Sequence, residues 1–193
     1  MCSWCWAHRP VWDQLQAALS PVVDVQYLMG GLAPDCQQAM PLQQQEAIKG
    51  YWQKIQTMFG TEFNFSFWTE NAPRRSTYPA CRAVIAARWQ QAELAMIDAI
   101  QNAYYLRAMN PSDVSTHVRL AGELALDVEK FSVDLESDAL ETAFQRELAY
   151  ARSLPVNGFP SMVLVVDGRA TAVPLDYRNH ETAVIFVKTQ LQS

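Results

Sequence analysis

Apolar residues along this chain recur at two spacings, and the spacing changes along its length. Residues 5–19 carry apolar positions at helical intervals (Trp6, Trp12, Leu15, Leu19), with Pro10 expected to kink or delay the helix. Residues 22–28 alternate and read as a strand that Gly30 and Gly31 end. Residues 34–41 are rich in breakers and read as loop. Helical spacing returns over residues 43–59 through Ala47, Ile48, Tyr51, Trp52, Ile55 and Phe59. Phe63, Phe65 and Phe67 then alternate, which predicts a strand over 62–68 by period, or an extended connector. From Pro79, placed for a first helical turn, to Met109 the chain has no further Gly or Pro, so two helices are expected with a break near Gln90. Asn110-Pro111-Ser112-Asp113 is a stop and restart, with Ser112 or Asp113 as cap. Helices over 113–124 and 137–152 follow, and residues 154–160 turn the chain back towards a strand over 162–166 and a turn at Asp167-Gly168. The ends of the chain therefore alternate β and α while the middle is nearly all helix.

Composition narrows the class. At 193 residues, half of them hydrophobic, the chain can bury about two thirds of its surface in one domain, or one domain with an insertion. A net charge of −5 provides no electrostatic footprint for nucleic acid. No apolar run approaches the ~20 residues that would span a membrane, so neither partner is expected. Four cysteines are too few for a disulfide scaffold. The chain opens on its cysteine motif with no basic start and no apolar h-region, which argues for the cytoplasm.

The chemistry is concentrated in Cys2-Ser3-Trp4-Cys5. Two cysteines with two residues between them suit reversible disulfide exchange or a metal. For exchange, a helix beginning around Cys5 leaves Cys2 at its N-cap, where the positive helix end lowers the thiol pKa and makes Cys2 the nucleophile, with Cys5 resolving. A closed zinc site needs about four ligands, and beyond Cys2, Cys5 and His8 the chain offers no second cysteine pair; His8, on a polar face, reads as solvated. No metal and no cofactor are expected. Cys36, in a loop, reads as an exposed oxidation site, and Cys81 as a packed thiol. Trp4, Trp6 and Trp12 suggest an apolar surface around the pair, with core packing an equal reading for the last two.

Far downstream, Gly158-Phe159-Pro160-Ser161 stands directly before an apolar strand, a place where proline's missing donor does no harm. A cysteine pair at a helix start, a long helical stretch, and Gly-Phe-Pro before a strand together resemble the DsbA-like branch of the thioredoxin superfamily. Within it, Met1 to Trp6, Gly30 to Asp35, Tyr78 to Ala83 and Gly158 to Ser161 are similar to the predicted protein-disulfide isomerases of bacteria. The resemblance implies an α/β fold: a thioredoxin-like core from residues 1–33 and 154–193, with a helical insertion over 34–153. It implies a thiol–disulfide oxidoreductase in which Ser3 and Trp4 tune the pair, and in which Phe159 and Pro160, through a cis bond, present backbone to an extended substrate. Protein disulfides or thiols are the implied substrates, glutathione a candidate small thiol, and a homodimer a candidate assembly. Two other readings stay open: a glutathione-dependent transferase or isomerase of the kappa and hydroxychromene-carboxylate type, whose serine stands where Cys2 does, and a non-catalytic binding module.

The same resemblance raises a difficulty. It places a central strand before the first cysteine, between the strands expected at 22–28 and 162–166, and the sequence has only Met1 there. Those two strands would stand about 9 to 10 Å apart, twice the normal spacing. A rearranged sheet, or a strand from a partner chain, is expected to close the gap, and failing both, a poorly stable chain whose Cys2 is mobile and weakly activated.

Overall fold

The structure, a computed structural model, describes residues 1–192. Helix α1 (Ser3–Leu19) runs through Pro10 and buries a stripe at Ala7, Val11, Leu15 and Leu19, spaced four apart and so on one face. A long irregular stretch leads to α2 (Leu42–Phe59), the short α3 (Phe67–Glu70), α4 (Tyr78–Arg88) and α5 (Glu93–Tyr105). The break expected near Gln90 is there: Gln91 adopts φ 62°, which no helix continues. Then come α6 (Val114–Glu123), α7 (Val128–Leu135) and α8 (Asp138–Ser153). Side chains start the last two: Asp127 accepts from the Lys130 amide, and Ser137 from that of Leu140. Strands β1 (Val163–Val166) and β2 (Arg169–Ala172) pair antiparallel, Val163 opposite Ala172 and Val166 opposite Arg169. Asp167 and Gly168, at φ 50° and 78°, form the tight turn that suits a two-residue hairpin. Helix α9 (Glu181–Leu191) closes the chain.

Three buried clusters hold these elements. Leu15 and Leu19 of α1 meet Val173 after β2 and Ala183 and Val187 of α9. Helices α4 to α8 form a second core around Ile85, Met96, Leu120, Phe131 and Phe144. The third is aromatic and joins α1 to α2, with Trp52 at its centre, 0% exposed.

Two expected strands are corrected. Residues 22–28 enter no ladder; the segment is tied down by side chains instead. The Met29 amide donates to Glu147 of α8 at 2.5 Å, and the Tyr27 carbonyl accepts from Arg88 of α4, itself paired with Glu147. Residues 62–68 are not a strand either, because their rings turn inward onto Trp52 rather than to two faces of a sheet. Asn64 fixes that turn, accepting from the Ser66 amide and donating to the Leu106 carbonyl. The helix expected to reach Met109 stops at Tyr105, and α7 and α9 are additions. No rearranged sheet closes the expected gap: among the described residues the sheet has two strands, and Tyr27, Leu28 and Met29 line with Pro160, Ser161 and Met162 a cleft of about 370 Å³.

Candidate active site

Helix α1 begins at Ser3 with Cys2 as its N-cap, in extended conformation (φ −100°, ψ 117°), and the Cys2 carbonyl accepts from the amides of Cys5 (3.1 Å) and Trp6 (3.4 Å). Both thiols are free. Cys2 is pulled down to about 6, chiefly because the Cys5 thiol donates to its sulfur. Burial opposes this, and the Cys5 and Trp4 amides at the helix start add to it. The helix end, expected to dominate, thus ranks behind the neighbouring thiol. Cys5 is pushed well above the ordinary thiol range by its bond to Cys2 and by burial.

A measurable asymmetry follows. Iodoacetamide labelling of the reduced protein is expected to concentrate on Cys2 with a midpoint near pH 6, Cys5 staying unlabelled; a midpoint at the free-thiol value of about 8.5 contradicts it. The linkage has a definite sign. A depressed Cys2 pKa stabilises the reduced fold above the unfolded value of 9.0, and that stability is lost as pH falls through about 6. The raised Cys5 pKa stabilises below the unfolded thiol value and its contribution is lost at higher pH, so the combined contribution of these two thiols is greatest near that value.

Phe159 comes from the other end of the chain. Its carbonyl oxygen lies 3.4 Å from Cys2 Sγ and accepts from the thiol, and the Phe159–Pro160 bond is cis. The Phe159 ring, 38% exposed, lies over Gly30, where an added Cβ would stand 2.4 Å from Cε1. Gly31, at φ 61°, is closed in by Leu148 and Tyr78, each 2.8 Å from an added Cβ. Gly30 therefore lets the chain pass under the Phe159 ring, and Gly31 seats it against α4 and α8. Gly31→Ala is expected to destabilise by about 1–3 kcal/mol and to lower Tm by several degrees, read by thermal melting; an unchanged Tm refutes the seating.

Trp4 is held from two sides, edge-on to Phe59 at 6.3 Å and to Tyr177 at 5.5 Å, while Phe59 and Tyr177 stack at 5.3 Å. Ser3 turns inward and is 8% exposed, so Trp4 is the member of the intervening pair that faces outward. Trp6 stacks on Tyr105 and donates to the Glu62 carbonyl; Trp12 donates to the Tyr27 hydroxyl and lines the cleft. Tyr177 went unrecognised in the sequence, although the apolar spacing Ala183, Val184, Val187 and Leu191 would have found α9 and hence the loop before it. Burial and the charges of Cys2 and Cys5 push its phenol up to about 12. His8, expected on a solvated face, is 3% exposed with its ring against Tyr177 at 5.3 Å. The reason is that α1 turns this face onto the loop before α9. Among the described residues, no group of three or more His, Cys, Asp or Glu could hold a metal ion. Cys81 is half-buried against the helical core and pushed up to about 11 by burial; Cys36 is half-buried as well, not exposed. Among the described residues no helix is long and apolar enough to cross a membrane.

A family model described as thioredoxin matches residues 1–185. The ClpXP adapter protein SpxH of Bacillus subtilis is 22% identical over 165 residues, 84% of this chain and 54% of that protein, so the chain spans about half its length. A Nitrosomonas europaea protein provisionally described as a protein disulfide isomerase superposes with a TM-score of 0.85 at 23% identity, over 100% of this chain and 93% of the other. The cytosolic disulfide reductase DsbM from Pseudomonas aeruginosa follows at 0.76 and 24%, over 100% and 95%, and has also been solved with GSH. At these identities the structural likenesses are likenesses of fold.

Proposed function

The chain belongs to the thioredoxin family, and from that premise we propose that it is a thiol–disulfide oxidoreductase working through Cys2 and Cys5. The observation that carries the reading is the placement of the Cys2 sulfur at a helix N-cap, 3.4 Å from the backbone oxygen of Phe159. The Cys2 thiolate attacks one sulfur of a substrate disulfide, and the other leaves as a thiolate. Cys5 then loses its proton and attacks Cys2 Sγ, releasing the bound half and leaving a Cys2–Cys5 disulfide; two electrons have passed to the substrate. The reverse sequence makes the chain an oxidant.

The Phe159 carbonyl accepts from Cys2 while that group is a thiol. Once Cys2 is a thiolate or a mixed disulfide, the oxygen is free to accept from a substrate amide, the strand-addition mode in which backbone provides affinity. Trp4 and Tyr177 present an apolar wall beside the sulfur, which suits substrates with aromatic or aliphatic flanks. By analogy with cytosolic DsbM, the setting we propose is a reducing cytoplasm, where the pair runs as a reductase and glutathione is a candidate partner. Residues 1–33 with 154–193 are the proposed catalytic part and 34–153 the helical insertion.

Likeness to an adapter protein supports a second reading, a binding module in which the cysteines are idle. One equivalent of oxidised glutathione separates these. Rapid formation of the Cys2–Cys5 disulfide is the expected result. A glutathione adduct on Cys2 that is never resolved shows exchange that Cys5 does not complete, and inertness points to binding alone.

A further inference from the structure

The exchange reading leaves one proton without a destination. Cys5 is a poor thiolate former, held up by burial and by its bond to Cys2, yet it must be deprotonated to resolve the mixed disulfide. The group nearest to it on α1 with base character is His8, three residues on. Residues three apart on a helix are neighbours on one face, about 5–6 Å apart between Cβ atoms. Cys5 and His8 line the same cleft. The backbone carbonyl of Asp176 engages the His8 ring and raises its pKa, and Nε2 is the ring nitrogen left without a partner. That Nε2 is buried and has no hydrogen-bond partner in the described structure, a costly arrangement for a residue serving only to pack.

We propose that His8 is the proton acceptor for Cys5, its Nε2 taking the thiol proton as Cys5 attacks the Cys2 mixed disulfide. The proposal rests on the exchange reading above. In the step, the Cys5 S–H proton passes directly to His8 Nε2 as the two side chains, one helical turn apart, come together. The Cys5 sulfur forms the Cys2–Cys5 bond, the bond from Cys2 to the substrate sulfur breaks, and its electron pair leaves on the substrate thiolate, which His8 then reprotonates. The electrons balance within the thiols and no further reactant is needed. A base oriented by a third group is one arrangement by which a hydroxyl or thiol nucleophile is activated.

The surroundings keep the ring neutral. Burial lowers the His8 pKa, and the Asp176 carbonyl and carboxylate only partly offset it, so the imidazole is unprotonated at neutral pH. The other charged and titratable groups in reach are Cys5 and Arg9 on α1, Tyr177 beside the ring, and Cys2 and the Met1 ammonium at the chain start. Across the cleft stand Asp13, Tyr27, Cys81 and Asp98, and Arg9 is paired with Asp98 at 2.5 Å.

The test separates the two chemical steps in the full chain with oxidised glutathione as substrate. His8→Asn keeps a side-chain donor for the Asp176 carbonyl and removes the base. Expected is an unchanged rate of glutathione attachment to Cys2, a resolution step slowed about 10²-fold, and a glutathionyl adduct that accumulates as it does not in the unsubstituted chain. The pH profile of resolution is the readout that packing alone would not move. It should already be level at neutrality with His8 present, and rise tenfold per pH unit without it. Imidazole should restore the rate to His8→Ala, and His8→Gln serves should the asparagine variant fail to fold. An unchanged resolution rate and profile in a folded variant overturns the role of His8 while leaving exchange intact. If the unsubstituted chain forms neither adduct nor disulfide, the exchange reading itself falls.

Discussion

Cys2→Ser should abolish disulfide exchange, lowering the rate with oxidised glutathione by at least about 10³-fold, or about 4 kcal/mol of barrier. Serine is a favoured N-cap residue and leaves the Cys2 backbone carbonyl to accept from the Cys5 and Trp6 amides, so the fold should survive and the loss be chemical. It cannot ionise near pH 6 as the Cys2 thiol does. Cys5→Ser should behave differently. Attack at Cys2 continues, but nothing resolves the product, and a mixed disulfide accumulates on Cys2 that mass spectrometry after peptide digestion will place. Exchange persisting in Cys2→Ser above a tenth of the original rate, or an adduct on Cys36 or Cys81 instead, would sink the assignment.

Trp52→Ala should be the most destabilising single change, at about 3–5 kcal/mol, with Tm falling by roughly 6–20 °C. Trp52 has no exposed surface, and its indole meets Phe63, Phe65, Phe67, Trp68, Tyr104 and Tyr105 at centroid distances from 4.9 to 6.0 Å. Removing it opens a cavity that rings of fixed shape cannot collapse to fill. The damage should reach the cysteines, because Tyr105 stacks on Trp6, the residue after Cys5. Trp52→Phe should cost much less: it keeps most of the packing and deletes an indole N–H that is buried without a partner. Calorimetry of both variants checks the order, and equal losses would mean that the N–H rather than the volume matters.

The parts of this fold visible in the sequence are those set by local spacing. The 3.6-residue recurrence located α2, α4, α5, α6 and α8 to within a residue or a few, and the apolar run after Pro160 located β1. Alternation misled twice, for one reason. A period of two reports that neighbouring side chains point opposite ways, and says nothing of whether a ladder stands beside them. Phe63, Phe65 and Phe67 alternate around a tryptophan, and residues 22–28 are fixed through Arg88 and Glu147, whose contribution depends on two helices 60 and 120 residues further on. The site divides in the same way. Cys2, Cys5, Phe159 and Pro160 were legible because their spacing and neighbours are distinctive, and the structure brings them together. The burial of His8 and the clamp on Trp4 were not, because both depend on Tyr177 and its loop, a contact between the two ends of the chain.

The 157-residue separation of Cys2 from Phe159 also has a consequence for biosynthesis. At a translation rate of about 5–20 residues per second, the cysteine pair leaves the ribosome on the order of ten seconds before the loop that covers it. Through that interval α1 has neither Tyr177 nor the Phe159 carbonyl beside it, while Cys36 and then Cys81 emerge as rival thiols. A nascent chain made under oxidising conditions can therefore pair Cys2 with the wrong partner before the right surroundings exist, so the yield of correctly assembled protein should depend on the redox state of its surroundings during synthesis, not after it.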